Sequence, residues 1–142
     1  MFNVVVKYLG IFKGMPLAPN VFDAFLNMVT CISNPRLLDC MDDISTEVLS
    51  WPGTEKDLHK YGGIQFNCKG KEIGHIHGNG ILDIRFSVKL KEQLLAEGRV
   101  KPHHVFKHSG WISYYLDGME DFHYAIKLLE MSYLKIIGSA AK

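Results

Sequence analysis

Two short stretches concentrate most of the side chains in this sequence that could do chemistry: Gly74-His75-Ile76-His77-Gly78 and Pro102-His103-His104. In a β-strand, side chains alternate with period two, so His75 and His77 must share a face. Neutral imidazole binds borderline metals such as zinc and also shuttles protons near neutral pH. A carboxylate beside the pair would extend either chemistry, and Asp83 is the nearest one downstream in a strand-like segment. The spacing is therefore read as the beginning of a divalent-metal site, or equally of a histidine oriented by a carboxylate for proton transfer.

The turn after His77 decides whether Asp83 joins. A three-residue loop Gly78-Asn79-Gly80 pairs Ile76 with Leu82 and His75 with Asp83, which keeps apolar residues on one face and polar ones on the other. A two-residue Asn79-Gly80 turn would mix the faces. The first register is expected, with His75, His77 and Asp83 as neighbours. From the second stretch, His104 is the expected third imidazole. Adjacent residues in an extended chain point opposite ways, so His103 and His104 are not both expected at the site. Trp111 is a candidate pocket wall, although tryptophan in a strand more often serves the core. The expected ligand-binding set is His75, His77, Asp83, His104 and Trp111, and the expected metal set is His75, His77 and His104. His59 and His123 are expected at the surface, and His108 carries little weight.

The elements that must position these residues are legible in part. Asn20 and Asp23 with Phe22, Phe25, Leu26 and Val29 suggest a first helix. Asn34-Pro35 is a stronger start signal, followed by the stripe Leu37, Met41, Ile44 and Val48. The period then changes to two, giving strands around Ile64–Cys68, Ile73–His77 and Leu82–Phe86. Ser87 can cap a short helix that ends near Gly98; a fourth strand over Trp111–Leu116 precedes a last helix lined by Phe122, Ile126, Leu129, Tyr133 and Ile136. The fold expected is α+β: a single domain with a curved antiparallel sheet of about four strands, packed with helices on one face. Residues 34–138 are read as that domain and 1–33 as an apolar extension, helical in part.

Composition narrows the rest. A formal charge of +1 removes the simplest case for nucleic-acid binding. Three cysteines without close spacing support neither a disulfide framework nor a cysteine zinc site, which points to a reducing, cytoplasmic setting. Phe2–Met15 is too short to span a bilayer. The sequence lacks the lysine and hydroxyl of a phosphate-binding loop, and Ser109-Gly110 lacks the glycine pattern of a nucleophile elbow.

The combination Ser50-Trp51-Pro52-Gly53, Gly62-Gly63 with Phe66, Glu72-Ile73-Gly74-His75-Ile76-His77-Gly78, Asp83-Ile84 with Phe86, Pro102-His103-His104 and Ser109-Gly110-Trp111 resembles the small "luciferase domain" family over about residues 50–135. One departure is Arg85, where the family pattern often has proline. The resemblance implies that His75, His77, Asp83, His104 and Trp111 belong to a shared site. It does not imply light emission, since nothing here resembles a flavin-binding barrel or an adenylating fold. Two functional classes follow: a domain that binds a small molecule or a divalent metal such as zinc, or a non-enzymatic module whose N-terminal third forms a homo-oligomer or partner surface.

Overall fold

The computed structural model describes residues 18–139. Four helices and six strands follow one another as α1 (Ala18–Ser33), α2 (Pro35–Leu49), β1 (Thr54–Leu58), β2 (Ile64–Cys68), β3 (Lys71–Ile76), β4 (Ile81–Arg85), α3 (Val88–Ala96), β5 (Lys101–Pro102), β6 (Trp111–Tyr115) and α4 (Phe122–Ser139). The strands form one antiparallel sheet in the order β1-β2-β3-β4-β6-β5. The α+β class is as expected, but the sheet has six strands rather than about four. The two extra strands are β1, whose sequence Thr-Glu-Lys-Asp-Leu has little apolar alternation, and the two-residue β5. Both lie at sheet edges, where neighbours on one side suffice and a strand need not look hydrophobic.

Local signals set several boundaries. Asn34 caps α2 by accepting the Leu37 N–H, with Pro35 at the first helical position. Ser87 caps α3 through the Leu90 N–H. Leu37, Met41, Ile44 and Val48 of α2 are buried as their spacing requires, and so are Leu128, Leu129 and Ile136 of α4. These helices pack beside each other, with α4 against β2, β3 and β4, so Phe66, Ile76, Leu82 and Ile84 bury one face of the sheet.

Helix α1 packs through polar side chains. Its buried side chains are polar: Asp23 accepts the Gly78 N–H at 2.7 Å, and Thr30 donates to the Gly78 carbonyl at 2.9 Å. A Cβ on Gly78 would sit 2.7 Å from the Asp23 carbonyl, so a glycine there lets the helix approach the turn after β3. Val21, Phe25, Met28, Val29 and Ile32 face outward. The apolar segment before residue 18 lies outside the described residues. Among the described residues, no helix is long and apolar enough to cross a membrane.

Candidate functional site

The face of the sheet opposite α4 carries a polar row. Gln65, His75, Asp83 and Ser113 are consecutive partners across β2, β3, β4 and β6. The loop Gly78-Asn79-Gly80 has the expected length, since the His77 N–H bonds the Ile81 carbonyl and the pairs are His75 with Asp83 and Ile76 with Leu82.

Asp83 is the centre of this face and is fully buried. Its Oδ1 accepts the Ser113 hydroxyl. Its Oδ2 is ringed by three imidazole Nε2 atoms: His77 at 3.3 Å, His103 at 3.5 Å and His75 at 3.6 Å. At these separations none of the three makes a hydrogen bond, and Oδ2 has no hydrogen-bond partner among the described residues. Burial pushes the carboxyl pKa up, but the His75 and His77 imidazoles and the Ser113 hydroxyl pull harder the other way, so it is held well below the usual carboxylate range.

His75 is held from its other side by Glu72, whose Oε1 lies 2.5 Å from Nδ1. Residues three apart in a regular strand point to opposite faces. The β2–β3 register shifts here: Asn67 pairs with Glu72 and Phe66 with Gly74, so Ile73 is an extra residue on β3. This bulge returns Glu72 to the face of His75. Burial lowers the His75 pKa, but Asp83 and Glu72 together outweigh it and raise the pKa above the ordinary histidine value.

Two expectations are corrected. His104 is exposed, and it is His103 that turns inward to Asp83; the loop after Pro102 bends back, so strand alternation does not govern which imidazole enters. His104 remains adjacent, stacked on His103 with centroids 4.5 Å apart. His59 is buried, not at the surface, and its ring stacks on His75 at 3.7 Å. It leaves the end of β1, the strand that its sequence conceals; the turn signal Tyr61-Gly62-Gly63 was the clue to that hairpin. A Cβ on Gly63 would meet the Ile76 carbonyl at 2.4 Å, so this turn lies directly on the end of β3. His123 is exposed as expected. Trp111 stands beside the cluster, its ring 5.6 Å from that of His75 and 5.9 Å from that of His103.

Among the described residues, two compact sets of ligand-type atoms result, each within 4.8 Å of one another: His75, His77 and Asp83; and His59, Glu72 and His75. Two atoms bound to one zinc ion are about 3.3 Å apart, from Zn–N distances of about 2.0–2.1 Å in a tetrahedron. The 2.5 Å contact between Glu72 and His75 is too short for shared ligands and is a hydrogen bond, so that set supports His75 rather than ligating. The separations of 3.3 and 3.6 Å around Asp83 Oδ2 suit a shared ion.

Residues 70–132 match the family model described as Luciferase domain. The match covers somewhat under half of the 142-residue chain and a shorter span than the motifs alone suggested. The matched segment contains Glu72, His75, His77, Asp83, His103 and Trp111, but neither His59 nor α1. Searches among curated proteins and solved structures find no match.

Proposed function

We propose that this domain binds a divalent metal ion, zinc by the chemistry of its donors, through His75 Nε2, His77 Nε2 and Asp83 Oδ2. The observation that carries the reading is the buried, unpartnered Asp83 Oδ2 ringed by imidazoles at 3.3–3.6 Å. A buried carboxylate oxygen without a donor is costly, and a cation shared with the imidazoles would remove that cost. Glu72 supports it further: a carboxylate on Nδ1 fixes a ligating histidine in the tautomer whose Nε2 lone pair is free. Three protein ligands leave a fourth position open, as in zinc sites that polarise a bound oxygen or lower the pKa of water. Trp111 would wall a small molecule held there.

The test is the metal content of untagged protein after dialysis against zinc, with the visible spectrum of the cobalt form reporting tetrahedral geometry. Stoichiometric metal is expected, with loss in His75→Ala, His77→Ala and Asp83→Ala. Metal-free wild type with all other properties intact would end the metal reading.

A second reading, association of two copies of this chain through the N-terminal third, rests on the exposed stripe Val21, Phe25, Met28 and Ile32 of α1. Light scattering tests it: a dimer that Phe25→Glu with Ile32→Glu converts to a monomer supports it, and a wild-type monomer removes it.

A further inference from the structure

The imidazoles around Asp83 are not chemically alike, and their Nδ1 partners separate them. His75 Nδ1 faces the Glu72 carboxylate and must donate, which frees Nε2 to ligate. His103 is wired the opposite way. Its Nδ1 accepts the backbone N–H groups of Val105 at 3.1 Å and Phe106 at 3.2 Å. A neutral imidazole carries one N–H, so in His103 that hydrogen sits on Nε2. Ligation through Nε2 would need the proton moved to Nδ1, where it would oppose two N–H donors.

Building on the metal-site reading, we propose that His103 is not a metal ligand but the site's neutral hydrogen-bond donor, presenting Nε2–H to a carboxylate oxygen of a small molecule held at the open metal position. His103 Nε2 stands 3.5 Å from Asp83 Oδ2, about one ligand-to-ligand edge from the oxygen that would bind the ion. A donor at that distance is within reach of a group held at the neighbouring coordination position. Two N–H groups aimed at Nδ1 keep the ring neutral, and a fixed neutral N–H polarises an oxygen without reorganising.

The ring is held in place for this. His104 stacks on its outer side, Phe106 lies 5.1 Å away and Trp111 5.9 Å. The loop itself is anchored by Lys91, a buried lysine on α3 whose ammonium donates to the Lys107 carbonyl at 2.5 Å and the Ser109 carbonyl at 2.6 Å. Phe106 and Trp111 add an apolar wall, which suits a carboxylate attached to a hydrocarbon body.

Long-range proton–nitrogen NMR of the histidine-labelled full chain at a single neutral pH reads the assignment directly. Expected is an Nε2–H tautomer for His103 without metal and with zinc, while zinc shifts Nε2 of His75 and His77. Acetate added to the zinc form should move the His103 Nε2–H signal. In His103→Phe, acetate binding should weaken roughly tenfold with zinc content unchanged, and His103→Gln, which keeps an N–H donor, should recover most of it. Zinc shifting His103 Nε2 as it does His75, loss of zinc in His103→Phe, or acetate binding indifferent to both variants would overturn the proposal. A chain that takes up no zinc would overturn the metal reading alone. The metal-free spectrum would then still decide His103: an Nε2–H tautomer upholds the donor assignment, and Nδ1–H overturns it.

Discussion

The ring of His59 lies flat on that of His75, with centroids 3.7 Å apart and planes 11° from parallel. Burial first, and then the neighbouring His75, push the His59 pKa down from 6.5 to about 4. Two stacked rings cannot both charge cheaply, so the fold keeps His59 neutral. A histidine with a lowered folded pKa contributes stability above its unfolded value, and that contribution is lost as pH falls through 6.5 towards 4. The loss across the interval is on the order of 3 kcal/mol. His59→Phe preserves the stack without the proton, so its urea midpoint should fall less than wild type's between pH 7 and pH 4.5.

Metal affinity should follow His75 instead. Its pKa is raised, so a proton occupies Nε2 below that value and must leave before a metal binds. Zinc affinity is expected to rise about tenfold per pH unit through the histidine range and to level off above the His75 pKa. Competition titrations with a chromogenic chelator at several pH values would show this; a flat profile would exclude His75 as a ligand.

Glu72→Gln removes the charge that holds His75 Nδ1 without changing the side-chain length. Metal affinity should drop about 10–100-fold with little loss of fold, measured by the same competition and by thermal unfolding.

Gly63 adopts a φ of +94° and has no room for a Cβ against the Ile76 carbonyl. Gly63→Ala should cost more than about 1 kcal/mol in denaturant unfolding. It should also weaken metal binding, because the displaced turn bears on the backbone next to His77.

Lys91→Met keeps the stem of the side chain and removes the two hydrogen bonds to the 107–109 carbonyls. Hydrogen exchange over residues 103–110 should quicken by tenfold or more, while exchange in β3 and β4 stays as in wild type.

The register of the central hairpin was legible because the hydrophobic pattern and the three-residue loop agreed, and the polarity of the two faces left one consistent pairing. From that pairing came the grouping of His75 with Asp83. The cap at Asn34-Pro35 and the stripe of α2 were equally plain, since each has a local physical cause. Strand β1 was hidden by its charged sequence, and with it His59. The exchange of His103 for His104 was hidden for a different reason: it depends on backbone N–H groups at 105 and 106 folding back onto Nδ1, a loop conformation that no periodicity encodes. Helix α1 is legible in its spacing, but the face it packs is not, because Asp23 and Thr30 are buried by hydrogen bonds to Gly78 and not by hydrophobicity.

The extra residue in β3 also sets a rule for moving this arrangement elsewhere. On an evenly pleated hairpin, the supporting carboxylate would have to stand two positions before the histidine, as Glu-x-His. Here the spacing is Glu72-x-x-His75, which works only while Ile73 is squeezed out of step with β2. Straightening the strand with Ile73 kept in step would leave every side chain of the cluster present in the sequence and would turn Glu72 to the opposite face of the sheet. Copying the histidines and acids without the irregularity would transfer the inventory and lose the geometry.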